Sequence, residues 1–358
     1  MQTITFECEV ITPMFLAGAD GIVSELRAPS IKGALRFWWR AMNGHLSLDN
    51  MKKEEGEIFG STSQRSKVII RANMNEKEEG QLQKSDALSG RDYLMYSVFP
   101  PMNTKEAFLT GKFEVHLCSN DVSMLKNCAY CFWLLSNFGG LGTRSRRGSG
   151  KFVIINYTGI DLGFSFNSNS NDLTQFTEYL GNGIQTIKKH FNVVENNNTT
   201  DFPCFKNCNI YVLSTGKSKS ENALNDIGNE YMNFRRRRMP DYQSVKDFIQ
   251  FGSQPNTIEK SVFGLPIGYR YRSLQGKGAT IEAKSTSRSA SSLFIEVVKV
   301  GTQFYPLIIN FNSKLLDIND KLKISSKEQR GNTKYLLQSR TNLKTSFING
   351  LTNKVQIL

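Results

Sequence analysis

The stretch Phe138-Gly139-Gly140-Leu141-Gly142-Thr143-Arg144-Ser145-Arg146-Arg147-Gly148-Ser149-Gly150-Lys151 decides how this chain reads. Five glycines and four basic residues share its fourteen positions, with no acid among them. A packed core has no use for such a segment. Glycine lets a backbone turn through positive φ and approach a ligand closely, and arginine at such a point meets anions. Residues 121–137 before it carry Met124, Leu125, Cys128, Cys131, Phe132 and Leu135 at helical spacing, and residues 151–157 after it read as a strand. Glycine loops that cradle dinucleotides or nucleoside triphosphates run strand, loop, helix. The order here is helix, loop, strand, which argues against a nucleotide cofactor and for a longer polyanion.

Towards the N-terminus, residues 112–118 alternate through Phe113, Val115 and Leu117 as a strand, and residues 67–72 read as another. Residues 93–99 read as a further strand before Pro100-Pro101, and the polar stretch 74–91 as a surface insertion. Residues 3–11 place Ile4, Phe6, Cys8 and Val10 on one side of a half-buried strand. Ser30 is the expected N-cap of a helix over 31–46. On that helix Ile31, Leu35, Trp38 and Met42 make a core stripe, while Lys32, Arg36 and Arg40 make a cationic one with no acid at i,i+4 to pair with it. Residues 1–157 thus run strand, helix, strand, strand, helix, strand, the βαββαβ plan of a ferredoxin-like, RRM-like domain.

Towards the C-terminus, residues 158–171 shift to Gly, Ser and Asn as in a linker, and Asp172 opens a helix to 190. A strand over 209–214 and a helix over 221–234 lead to Arg235, Arg236, Arg237 and Arg238. Residues 273–292 read as flexible, 293–300 and 303–311 as a hairpin, and 325–352 as mostly helical. The fold class is α+β, with two ferredoxin-like domains over 1–157 and 158–358 whose antiparallel sheets carry helices on one face. The strand order of the second is not legible from the pattern.

The chain has 358 residues and a net charge of +13, which points to nucleic acid, or less often to an anionic membrane. Residues 1–10 lack the basic and apolar regions of a signal peptide, and the most apolar run, 128–135, is far short of a membrane span. A cytoplasmic protein with reduced cysteines is expected.

Cys128-x2-Cys131 and Cys204-x3-Cys208 have zinc-like spacing, but the first pair lies on the apolar stripe of a helix, where buried thiols behave as small hydrophobes. His45, near the end of the basic helix, offers either a general base for RNA cleavage or a partner for the terminal carbonyls. No second acid–base group is visible near it. No metal, cofactor or catalytic set is expected. The basic residues form four clusters: Lys32, Arg36 and Arg40; Arg144, Arg146, Arg147 and Lys151; Arg235 to Arg238; and Arg270, Arg272 and Arg288. Phosphate-backbone binding needs many cations along a track. Tyr269 and Tyr271 lie beside Arg270 and Arg272, either as rings for base stacking or as one face of an ordinary strand.

The run Arg27-Ala-Pro-Ser-Ile-Lys-Gly-Ala-Leu-Arg-Phe-Trp-Trp-Arg-Ala41, then Glu57-Ile-Phe-Gly60, then Gly139 to Gly150, resembles the RAMP superfamily. More closely, the Phe-Trp-Trp-Arg-Ala run is similar to the branch of the first-numbered RAMP subunit of type III-B CRISPR (Cmr) effector complexes. Phe263-Gly-Leu-Pro266 and Arg288-Ser-Ala-Ser-Ser-Leu-Phe294 resemble the C-terminal motifs of that branch. The resemblance implies a non-catalytic subunit that contacts guide and target RNA near the guide 3′ end and packs on other RAMP subunits. It carries over to Lys32, Arg36, Arg40, Arg144, Arg146 and Arg147; the run at Arg235 to Arg238 is read from charge alone. Where the family loop often has an aromatic after its last Arg-Gly, this chain has Ser149. The rivals are a metal-independent endoribonuclease using His45 and a zinc-stapled scaffold with no RNA role.

Overall fold

Ile4, Phe6, Cys8 and Val10 alternate with polar residues and are all buried, so β1 (Gln2–Val10) lies with one face on the core. The structure, a computed structural model, describes residues 1–18, 21, 23–99, 105–195, 198–236, 239–339 and 341–358. After β1 come α1 (Ala28–Met42), α2 (Leu48–Phe59), β2 (Ile69–Gln81), α3 (Gly90–Leu94), β3 (Glu106–Ser119), α4 (Val122–Phe138) and β4 (Phe152–Thr158). The sheet order is β2-β3-β1-β4, every pair antiparallel. This is the ferredoxin-like arrangement expected for the first half.

Three local expectations change. Residues 93–99 are not a strand but the end of α3 and a 3₁₀ turn, Tyr96–Val98. Ser89 caps α3 by accepting from the Asp92 N–H, and Leu94, Met95, Val98 and Phe99 are buried at helical spacing. Part of the supposed insertion is strand, because β2 continues to Gln81 along β3. Helix α1 starts at Ala28, earlier than expected, because Pro29 suits a first turn that lacks a hydrogen-bonding N–H. It stops at Met42, which leaves His45 in the turn before α2.

Helix α4 is buried almost all round, with Cys128 to Ser136 inside, as a helix between two layers must be. α5 (Leu173–His190), capped by Asp172, packs beside it: Trp133 Nε1 donates to Tyr179 Oη at 2.6 Å.

The remaining elements are β5 (Cys208–Leu213), α6 (Ser220–Arg236), α7 (Met239–Phe251), β6 (Ile267–Arg270), β7 (Gly278–Ala283), β8 (Leu293–Val300), β9 (Gln303–Phe311), β10 (Leu322–Ser326), β11 (Lys334–Leu336), α8 (Leu343–Asn349) and β12 (Lys354–Gln356). The series β5-α6-β8-β9-α8-β12 is a second βαββαβ unit, and its sheet order, β12-β5-β9-β8, repeats that of the first. Interposed between its elements, α7 and a sheet ordered β11-β10-β7-β6 form a lobe with its own core, which includes Val245, Phe248, Ile281, Leu322 and Ile324. Residues 273–292 therefore contain strand β7 rather than only flexible chain. Among the described residues of 325–352 only α8 is helical: Ser325 and Ser326 pair along β7, and Gly331 turns the chain through φ 77° before β11.

The two repeats do not have two separate cores. α5 and the inner faces of β5, β8 and β9 join the cluster under the first sheet, where Trp38 sits among Phe138, Phe205, Phe294 and Phe311. Among the described residues no helix is long and apolar enough to cross a membrane.

Candidate nucleic-acid interface

The cationic stripe of α1 faces a groove of about 740 Å³ whose lining includes Lys32, Arg36, Arg65 and the turn from Phe59 to Ser66. The stripe is not free of acid, as its own helix suggested. Glu55 of α2, buried against it, accepts from Arg36 Nη1 at 2.7 Å and Arg40 Nε at 3.1 Å. Arg36 Nη2 also donates to the carbonyls of Phe59 (3.1 Å) and Gly60. Arg36 is therefore locked in one pose, while Arg40 has 48% of its side chain exposed. Among the described residues no carboxylate forms an ion pair with Lys32 or Arg65. Burial, then the neighbouring Arg36, holds the Lys32 ammonium below its ordinary pKa. Three cations thus face the groove, with one carboxylate behind them. Arg65 escaped the sequence reading because it stands alone in a polar turn; only the fold brings it opposite Lys32.

The glycine–arginine loop does something else. Arg144 donates from Nε to the carbonyl of Leu94 at 2.7 Å and lies 4.8 Å over the Tyr96 ring. Arg146 donates to the carbonyl of Ser291 at 2.8 Å, with its guanidinium over Phe37 and Phe294. Arg147, only 7% exposed, donates to the carbonyls of Leu293 (2.6 Å) and Phe263 (3.2 Å). The backbone joins in: Ile295 N–H donates to the Arg146 carbonyl at 3.2 Å. The loop is sewn onto β8 and α6 of the second unit. Its glycines serve the same packing. A Cβ on Gly148, at φ 82°, would stand 2.2 Å from Leu224 of α6, and one on Gly150 1.8 Å from the Leu141 carbonyl oxygen.

Two of the expected RNA-binding residues lie inside the protein. Arg147 is buried and bonded internally, and Lys151, 1% exposed, donates to the Asn137 carbonyl at 2.6 Å. Burial pushes the Lys151 ammonium down to about 8. Arg144 and Arg146 are half-buried, with guanidinium N–H groups given to main-chain carbonyls. In the second half, Arg235 is enclosed by the Tyr93, Tyr231 and Phe263 rings, each 5.3–5.8 Å from its guanidinium carbon. Arg236 is exposed at the end of α6; Arg237 and Arg238 lie outside the described residues. Arg270 and Arg272 are exposed, at the end of β6 and in the turn after it. Tyr269 and Tyr271 beside them stack on each other inside the lobe, and Tyr271 donates to the Tyr242 carbonyl at 2.6 Å, so neither offers an open face to a base.

All six cysteines are buried thiols, and burial pushes Cys128, Cys131 and Cys208 upward. Among the described residues no three His, Cys, Asp or Glu side chains gather as metal ligands. His45 is exposed, and its imidazole makes no hydrogen bond to another described residue.

Two βαββαβ units joined through a glycine–arginine loop define a double ferredoxin-like protein with a basic groove on its first unit. Residues 7–153 match the model of the RAMP superfamily. The chain is 30% identical over 328 residues to the CRISPR system Cmr subunit Cmr1-1 of Pyrococcus furiosus, covering 86% of each chain. It also superposes on the crystal structure of apo Cmr1 from P. furiosus with a TM-score of 0.63 at 22% identity, over 100% of this chain and 99% of that one. A chain in a type III-B Cmr-beta complex bound to cognate target RNA shares the fold at a TM-score of 0.55 and 13% identity, over 97% of both. The chain belongs to the RAMP superfamily and, within it, to the Cmr1 family.

Proposed function

We propose that this chain is a non-catalytic, RNA-binding subunit of a type III-B CRISPR effector, set among other RAMP subunits near the guide 3′ end. The observation that carries the reading is the α1 groove, lined by Lys32, Arg36 and Arg65, of which, among the described residues, only Arg36 is ion-paired, to Glu55. Phosphate oxygens meet such cations without regard to base sequence, which suits a subunit whose specificity comes from guide pairing. Arg40, Arg236, Arg270 and Arg272 are further exposed cations open to phosphate. The family membership, and the bound RNA named for the related complex, support the same reading.

Anisotropy of labelled single-stranded RNA with the purified chain, over a salt series in EDTA, tests it. Binding should weaken as salt rises, and the RNA should stay intact. Salt-independent binding, or none at any salt, overturns the groove as a phosphate site. Cleavage abolished by His45→Ala would instead favour an endoribonuclease.

A further inference from the structure

The short turn after α3 carries a second feature that the groove does not use. Tyr96, in the 3₁₀ segment Tyr96–Val98, is 51% exposed, although every residue from Gly90 to Leu94 except Tyr93 is buried. Its ring is covered on one side by the Arg144 guanidinium at 4.8 Å. That guanidinium is not free to leave: the backbone of Arg144 turns through φ 66°, and Nε is anchored on the Leu94 carbonyl. Lys105 stands on the same rim, with Nζ 3.4 Å from Thr143 Oγ1. Beyond Tyr93 lies the end of α6, with Arg235 against the Tyr93 ring and Arg236 exposed.

The electrostatics of this corner are one-sided. Among the described residues no carboxylate lies within ion-pair distance of Arg144, Lys105, Arg235 or Arg236. Arg144 is held down to about 10 by burial first and by Arg147 next. Arg235 Nε is buried and has no hydrogen-bond partner among the described residues. The corner therefore holds cations with no ion-pair partner among the described residues, beside an aromatic ring that Arg144 covers on one side and that is half exposed.

We infer that Tyr96, backed by Arg144 and flanked by Lys105 and Arg236, is a stacking platform for an unpaired base of single-stranded RNA, with the adjoining phosphates on the flanking cations. A guanidinium under a tyrosine ring extends a flat surface that a base completes, and stacking of this kind tolerates any base. An acidic peptide would use the cations but would leave the ring without a partner. The inference rests on the RNA-binding reading above, but it concerns a face formed with α6 and not the α1 groove.

The test compares two labelled oligonucleotides of equal length, an unpaired RNA and its abasic counterpart with the same phosphates, titrated into the full chain. Tyr96→Ala should weaken binding of the RNA roughly ten-fold and leave the abasic strand and the salt slope unchanged. Tyr96→Phe, which keeps the ring, should bind like wild type. Tyr96 is half exposed, so a thermal melt close to wild type is expected for both. Equal loss for both strands, or no loss for either, overturns the platform while leaving the groove standing. Wild-type chain that binds neither strand removes the RNA reading itself, and the platform with it. Displacement of the RNA by an oligoglutamate peptide, lost in Tyr96→Ala, assigns the face to an acidic protein segment and also overturns the inference.

Discussion

Arg147 donates from Nη1 to the main-chain carbonyl of Leu293 at 2.6 Å, across 146 positions of sequence. The residue type that a sequence reader assigns to RNA is here the rivet between two sheets. The carbonyls of Leu293 and Phe263, with the Tyr231 hydroxyl, take most of the donors of its guanidinium fork.

Removing that rivet takes the Arg147 donor from the Phe263 carbonyl and leaves the Leu293 carbonyl with the Ser291 hydroxyl in place of a charged partner. Each unsatisfied group costs about 1–3 kcal/mol, so Arg147→Ala should lower stability by roughly 2–4 kcal/mol, read as the urea midpoint. Arg147→Lys should not restore it, because one ammonium cannot span the divergent carbonyls. The salt slope of RNA binding, measured on whatever fraction folds, should match wild type. A variant of normal stability with a flattened slope would return Arg147 to the RNA surface.

Lys32 and Arg65 should behave in the opposite way. Their joint change to alanine removes two groove cations that no carboxylate among the described residues restrains, so the log–log salt slope should fall by roughly 1.4 at ~0.7 per single-strand phosphate contact. Stability should stay within about 0.5 kcal/mol of wild type, as for ordinary surface changes.

Glu55 offers a change of sign. Glu55→Gln removes the carboxylate charge paired with Arg36 and Arg40 and loosens Arg40. RNA binding at low salt should tighten a few-fold with a steeper slope, while stability drops by about 1–3 kcal/mol with the loss of charged hydrogen bonds. Weaker RNA binding would mean that the pose Glu55 imposes on Arg36 matters more than the charge.

Buried titratable groups predict two pH effects. Lys151 and Lys344 are pushed down to about 8 by burial, below the ordinary lysine value near 10.4. The unfolded chain then binds more protons between those values, so stability should rise as pH increases from about 8 to 10, and Lys344→Met should reduce that rise. Glu296 is fully buried with both carboxylate oxygens unbonded, and burial pushes it well above the usual carboxylate range. There the folded state holds the extra proton, so this group lowers stability as pH rises above its ordinary value. Glu296→Gln should be more stable than wild type at neutral pH, by a margin that shrinks as pH falls towards 4. Urea midpoints of the three proteins across pH check both signs.

The first βαββαβ unit was largely legible because its signals are local: the alternation of Ile4, Phe6, Cys8 and Val10, the Trp38 stripe, and the helical spacing of Leu125, Cys128, Phe132 and Leu135. The 3₁₀ turn at Tyr96 was misread as strand because a short apolar run looks alike in both until its buried neighbours are known. The second unit was hidden by the lobe interposed between α6 and β8 and again between β9 and α8, which separates strands that pair in space.

By itself the sequence determined which elements form wherever period and capping are local, and where the basic residues cluster. Only the tertiary structure decided what each cation does. Arginine reaches several ångströms and carries five donors, so its role depends on what the fold sets opposite it. For Arg36 and Arg40 that is Glu55 on another helix; for Arg146 and Arg147 it is the carbonyls of Ser291 and Leu293; for Lys32 and Arg65 it is an open groove.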